Sequence, residues 1–246
     1  MQTENGAHAI TIGEIVAKNF RSAETFGKYG IDFCCGGKIS LEEACRKKGI
    51  NIKQIQEELD SISAQSGPIS QDYNSWDLDF LCDYIVNTHH KYVVSAMPVI
   101  FEYTQKVAKV HGDRHPEAIQ IATIFEKVME ELNSHMMKEE NILFPYIRQM
   151  AVSVKQGIPL SHSPFGTVQN PINMMEHEHD VVGEMCKKIK EISGNYTPPD
   201  DGCTTYRLSF LKLQEFENDL HRHIHLENNI LFPKAVQMEN GVHDKG

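Results

Sequence analysis

An eleven-residue segment occurs twice in the chain, and this duplication constrains the fold more than any other feature. His135-Met136-Met137-Lys138-Glu139-Glu140-Asn141-Ile142-Leu143-Phe144-Pro145 returns as His223-Ile224-His225-Leu226-Glu227-Asn228-Asn229-Ile230-Leu231-Phe232-Pro233, with seven of the eleven positions identical. The offset is 88 residues (223 − 135), so the segments read as copies of one structural unit. Both keep His and Glu four residues apart, a spacing that stacks them on one face of an α-helix. Leu143 and Leu231 follow four residues later, so each His-Glu pair continues an apolar stripe that should face a core. Unpaired carboxylates and imidazoles are costly there, and a bound metal would satisfy them.

The surrounding sequence supplies the rest of a helical bundle. Segments of helical periodicity begin after Trp76 and alternate with breakers. The first spans about Asp77 to Val110, with a kink expected at Pro98 because proline removes a helix hydrogen bond. The turn His111-Gly112-Asp113-Arg114-His115-Pro116 leads into a second helix from Pro116 to about Met150, followed by a Gly-, Pro- and Ser-rich loop over roughly 152–170. Asn170-Pro171 opens a third helix that fades at Ser193-Gly194, and a fourth runs from about Thr204 to Val236. No sustained period-2 pattern marks a strand. The expected fold is all-α, an antiparallel four-helix bundle formed by a duplicated hairpin with the repeats on its second and fourth helices.

The first and third helices offer Thr88-His89-His90-Lys91-Tyr92 and Glu176-His177-Glu178-His179-Asp180. Choosing His90 and His179 places them 45 and 44 residues before His135 and His223, so the two halves match. The alternative pairs His89 with His177, since Val93-Val94 and Val181-Val182 share the 88-residue offset. Either way, four His and two Glu converge from four helices. Two metals bridged by Glu139 and Glu227 would each receive two imidazoles and two carboxylate oxygens; an oxo or hydroxo bridge would leave one octahedral position open on each. Imidazole with carboxylate suits iron better than a thiolate site would, so a di-iron centre is the expected cofactor.

The first sixty or so residues read as short helices. Thr11 with Glu14, Ser40 with Glu43, and Asn51 with Gln54 have the spacing of capping boxes. Between the first two lies Tyr29-Gly30-Ile31-Asp32-Phe33-Cys34-Cys35-Gly36-Gly37-Lys38, a glycine-punctuated turn carrying vicinal cysteines. Residues 61–71 are polar with a Gly-Pro step and read as a linker. The resulting division is a small helical domain over 1–68 and the bundle over 69–246.

Charge narrows the partners. Asp and Glu number 34 against 24 Lys and Arg, a net charge of −10, which repels nucleic acid and anionic membrane surfaces. No stretch approaches the roughly 20 apolar residues that span a bilayer, and Met1-Gln2-Thr3-Glu4-Asn5-Gly6 lacks the marks of a signal peptide. A cytoplasmic protein with neither nucleic-acid nor membrane partners is expected. Six cysteines, two of them adjacent, make a poor disulfide framework, so reduced thiols are expected.

Taken together, Tyr29 through Gly37, His135 through Glu140, Glu178-His179-Asp180 and His223 through Pro233 resemble haemerythrin-type di-iron bundles. More closely, they resemble the Repair of Iron Centres family, bacterial di-iron proteins that protect or restore iron-sulfur clusters after oxidative or nitrosative damage. The resemblance covers essentially the whole chain. It implies iron ligation by His90, His135, Glu139, His179, His223 and Glu227 with both Glu bridging, and it favours His90 over His89. Oxygen-carrying haemerythrins use five His, and no convincing fifth is present. The resemblance further implies a role for Cys34 and Cys35, damaged iron-sulfur proteins as partners, and nitric oxide or oxygen as small ligands; a homodimer is compatible with it. Two rival functions share the same bundle. One is reduction of nitric oxide to nitrous oxide at the irons, and the other is an oxygen or nitric oxide sensor, which the lack of a recognisable signalling segment disfavours.

The remaining polar residues have plainer readings. His221 and His225 lie two positions from His223, about 200° round a helix, and are expected in solvent. His8, His111, His115, His162 and His243 fall in turns, loops or termini and need no role. Cys34 and Cys35 are either small residues of a tight turn or, if exposed beside Lys38, thiolate-like groups suited to redox, nitric oxide or iron-transfer chemistry. Cys45, Cys82, Cys186 and Cys203 read as packed or inert, and Met136 and Met137 as gap-filling core. Glu131 and Glu178 are either solvated carboxylates or groups that orient the ligands.

Overall fold

The computed structural model describes residues 9–64, 72–160 and 163–243. Residues 65–71 of the expected linker, the domain boundary near 68, His8 and His162 lie outside the described residues. Contacts group the chain into two compact units, one comprising Met1–Trp76 with His225–Ile230 and the other Asp77–Ile224 with Leu231–Gly246. No strand occurs among the described residues; there is a lone β-bridge between Thr11 and Ser40.

The first unit contains α1 (Ile12–Lys18), α2 (Ser22–Lys28), α3 (Leu41–Lys48) and α4 (Ile52–Ala64). Thr11 and Glu14 form the complete reciprocal capping box before α1. Ser40 Oγ accepts from Glu43 N at the start of α3, whereas Asn51 Oδ1 accepts from Lys53 N and Gln54 N donates to the Asn51 backbone carbonyl. The helix α2 had no start signal, and Arg21 before it makes no side-chain cap. Ile12, Val16, Phe26, Ile31, Phe33, Leu41 and Ile55 form the core. The cysteine turn is tied to α1 by Gly13 N donating to Gly37 O at 2.8 Å and Ile12 N donating to Ile39 O at 3.0 Å. Asn229 Nδ2 donates to Phe33 O at 3.3 Å and Cys34 O at 3.1 Å, which brings one turn of the last long helix into this unit.

The second unit holds the rods of the antiparallel bundle apart from residues His225–Ile230. Its first rod comprises α5 (Leu78–Ile85), a π-helical turn (Val86–His90) and α6 (Lys91–His111). The second comprises α7 (Pro116–Lys138), a π turn (Glu139–Leu143) and α8 (Phe144–Gln156). The third is α9 (Gln169–Ile192), and the fourth comprises α10 (Thr204–Leu226), a π turn (Glu227–Leu231) and α11 (Phe232–His243). The second and fourth rods run past their expected ends, the second stopping at Gly157 in the left-handed conformation. Helix α6 packs on α7, α7 on α9, and α8 on both α5 and α11, while Phe125 of α7 meets Phe216 of α10 edge-on.

Pro98 lies inside α6, and the irregular turn of that rod sits at Val86–His90 instead. In the repeats the π turns keep the 88-residue offset, and each is followed by Phe-Pro. Proline has no N–H for the carbonyl four residues back, and its ring crowds that carbonyl. A widened turn relieves the crowding.

Gly37 tests the packing of the cysteine turn. A Cβ there would meet Phe33 O at 2.6 Å and Asn229 Oδ1 at 2.7 Å, while one at Gly27 would meet nothing within 4 Å. Gly37→Ala is expected to cost about 1–3 kcal/mol in denaturant unfolding of the full chain, with Gly27→Ala neutral or slightly stabilising.

Candidate metal centre

The repeated His-Glu pairs meet the histidines of the other two rods in the bundle interior. Donor atoms of His90, Glu139, His223 and Glu227 all lie within 4.8 Å of one another, as do those of His135, Glu139, His179 and Glu227. The two groups share both glutamates. All six side chains are at most 2% exposed, so no water layer dilutes their charge.

The spacing matches the chemistry of metal coordination. His90 Nε2 lies 3.1 Å from His223 Nε2, and His179 Nε2 lies 3.0 Å from His135 Nε2. Two nitrogens bound at right angles about 2.1 Å from one metal are separated by about 3.0 Å. Glu139 Oε2 is 3.3 Å from both His90 Nε2 and His135 Nε2, so one carboxylate faces a nitrogen of each pair. Neutral imidazoles with anionic carboxylates fit a pair of iron-class cations.

Carboxylates behind the histidines set their orientation. His90 donates from Nδ1 to Glu140 Oε1 at 2.8 Å, and His135 from Nδ1 to Glu178 Oε2 at 3.0 Å. Each bond selects the tautomer that leaves Nε2 facing inward. The hydrogen bond from His135, and then the contact with the Lys138 ammonium, hold the Glu178 carboxyl at about 2 against the opposing effect of burial. Glu178 therefore remains anionic behind its histidine, the orienting alternative of its two readings. Glu131 is exposed. Glu140 was not anticipated, although it occupies one of the few repeat positions that differ, opposite Asn228.

The π turn at Val86–His90 buries both adjacent histidines, which is why periodicity left their register open. His90 enters the donor group. His89 instead stacks on His223, with centroids 5.6 Å apart and planes at 7°, and bonds through Nδ1 to Asp219 at 3.0 Å. On α9, His179 is buried and His177 exposed.

Several expectations are corrected. His225 is fully buried, because its turn packs into the N-terminal unit against Phe20 and Phe33 at ring distances of 5.8 and 5.9 Å. Burial pushes its pKa down to about 4. His221 is half-buried and Met137 exposed. Cys34 is buried rather than exposed; its thiol donates to Asp32 Oδ1 at 3.1 Å. The hydrogen bond with Cys35, then burial, raise that thiol well above the ordinary range, so Cys34 is no ready thiolate. Cys35 keeps intermediate exposure, and Asp32, Cys34 and Cys35 bring a third set of potential donors within 4.8 Å of one another. Cys203 is exposed rather than packed, and His111 is buried against it.

Two family models match the chain. One, described as "Hemerythrin HHE cation binding domain", covers residues 83–235, and the other, "Domain of Unknown function (DUF542)", covers residues 8–63. The iron-sulfur cluster repair protein YtfE of Enterobacter sp. (strain 638) is 38% identical over 228 residues, 93% of this chain and 97% of that protein. Proteins of the same name from Escherichia coli O17:K52:H18 and Shigella boydii serotype 4 are 36% identical over the same shares. Among the described residues no helix is long and apolar enough to cross a membrane.

Glu178 gives the sharpest test of the orienting carboxylates. Glu178→Ala is expected to weaken metal retention about 10–100-fold, read as metal content after dialysis against graded chelator. Glu131→Ala is expected to retain metal as the unaltered chain does.

Proposed function

Because the chain belongs to the iron-sulfur cluster repair family, a haemerythrin cation-binding bundle preceded by a DUF542 domain, we propose that it repairs iron-sulfur clusters damaged by oxidative or nitrosative stress by supplying iron. The observation that carries this reading is the pair of buried donor groups sharing Glu139 and Glu227. In this proposal His90, His135, Glu139, His179, His223 and Glu227 would hold two irons, with Glu139 and Glu227 shared between the two donor groups. When bound, the irons supply a redox-active, releasable metal.

The chain's own residues then have defined tasks. His90 and His223 would serve one iron, and His135 and His179 the other. Glu140 and Glu178 keep His90 and His135 turned inward. The donor set provides two imidazoles and two carboxylates per iron, fewer than a six-coordinate ion accepts, which favours a centre that exchanges its metal over one that encloses it. Cys34 and Cys35 form the thiol end of the delivery route, with Cys35 as the contact group because it is the more accessible. The proposal places the domain boundary near residue 68 and the protein in the cytoplasm, with damaged iron-sulfur proteins as its clients.

Restoration of a damaged enzyme is the direct test. Full-length protein, purified and iron-loaded without oxygen, is mixed with an iron-depleted [4Fe–4S] enzyme, sulfide and reductant. Return of that enzyme's activity with loss of iron from this protein is expected. No return from a fully loaded protein would overturn the donor role, and nitrous oxide formed from added nitric oxide would favour the reductase rival. Glu139→Leu and Glu227→Leu are each expected to abolish the absorption of an oxo-bridged iron pair. His90→Ala is expected to lose iron and His89→Ala to keep it; the reverse pattern would sink the ligand assignment.

A further inference from the structure

A second cluster of reactive side chains lies in the bundle, where the end of α6 meets the start of α10. Cys203 immediately precedes α10 and is exposed, and its backbone carbonyl accepts from Arg207 N at 3.1 Å. Its sulfur lies 3.2 Å from His111 Nε2. His111, the last residue of α6, is 5% exposed, and its Nδ1 has no hydrogen-bond partner. This imidazole is therefore buried with one nitrogen uncommitted and the other aimed at an accessible thiol.

The groups around the pair leave His111 as the proton acceptor. His115 uses both ring nitrogens on carboxylates, Nδ1 on Glu117 Oε1 and Nε2 on Asp201 Oδ1, each at 2.9 Å. Arg114 also pairs with Asp201. The buried Tyr206 ring stands edge-on to His111 at 5.3 Å and to His115 at 5.8 Å. Burial pushes the Tyr206 phenol up to about 12, so it stays neutral and does not compete for the proton.

We propose that Cys203 is a thiol-modification site that captures low-mass disulfides as mixed disulfides, with His111 as its general base. The thiol proton passes to His111 Nε2 as the sulfur attacks one sulfur of the incoming disulfide. A new S–S bond forms to Cys203 as the old one breaks, and the departing thiolate takes the proton from the imidazolium. One disulfide is exchanged for another, so no further oxidant is needed. Buried Cys34, Cys45, Cys82 and Cys186 cannot present sulfur for the in-line approach that exchange requires.

The magnitude follows from thiolate supply. An unassisted thiol of pKa about 8.5 is only a few per cent thiolate at neutral pH, so a base that takes the proton can raise the rate by at most about thirtyfold. The iron-loaded full chain is incubated with oxidised glutathione, and adducts are followed by intact mass and located by peptide mapping. One glutathionyl group on Cys203 is expected first, its formation abolished in Cys203→Ser. His111→Gln should slow it about tenfold at pH 7, with the gap closing above about pH 9, where thiols ionise unaided. First modification at Cys35, or a His111→Gln rate equal to that of the unaltered protein across this range, would overturn the proposal. His111 is buried, so the pH–rate profile of the unaltered protein provides a check that needs no folded variant. A profile with two inflections supports the base, and a single rise from the thiol alone excludes it.

Discussion

The bundle is organised around the burial of two carboxylates and four imidazoles in its centre. Removing an ionised carboxylate from water costs several kcal/mol even after relaxation, as much as burying one or two large apolar side chains returns. Glu139 and Glu227 have no exposed surface, so their charge must be answered locally. The histidines of four rods do this, and cations between them would do it more completely. The apolar layers above and below, including Leu81, Ile85, Phe125 and Phe216, have to close around that polar centre. Three of the four rods contain a π turn, and each of these turns carries a donor residue. The widened backbone aims the buried polar groups where a regular helix would rotate them off the axis.

The duplication and its i,i+4 pairs were enough to read the bundle, the order of its rods and the two repeat-borne pairs. Periodicity of 3.6 has no means of registering a π turn, which adds a residue to one turn. That is why His89 and His90 remained alternatives on spacing alone, and why both prove buried while one joins the donor group. The orienting carboxylates were only half legible. Glu178 stood beside His179 in sequence, yet it serves His135 across the bundle. Glu140 was hidden because the repeat places Asn228 opposite it, so the duplication itself directed attention away. Long-range partners such as Asp219 for His89 and Cys203 for His111 leave no local trace.

The two copies are identical at Asn141 and Asn229 yet use that residue differently. Asn141 bonds back to Met137 O on its own helix at 2.7 Å. Asn229 reaches Phe33 O and Cys34 O of the cysteine turn. The neighbouring positions diverge to match. Met137 is 67% exposed, while its counterpart His225 is fully buried against Phe20 and Phe33. A solvent-facing turn in one copy has become a packed turn in the other, and Gly13 and Gly37 supply the room, since a Cβ at either would strike Asn229.

This asymmetry has a mechanical consequence for the centre. Glu227 opens the π turn whose Asn229 bonds the cysteine turn, whereas Glu139 opens the one whose Asn141 bonds back to its own helix. A carboxylate held by contacts on both its flanks has less freedom to rotate than one whose turn borders solvent, because each packed neighbour removes rotamers from its turn. The two glutamate positions are therefore packed unequally although their residues are identical. Asn229, two residues after Glu227, ties that turn to the backbone of Cys34. Duplication followed by one-sided packing thus leaves two identical glutamates in unequal surroundings.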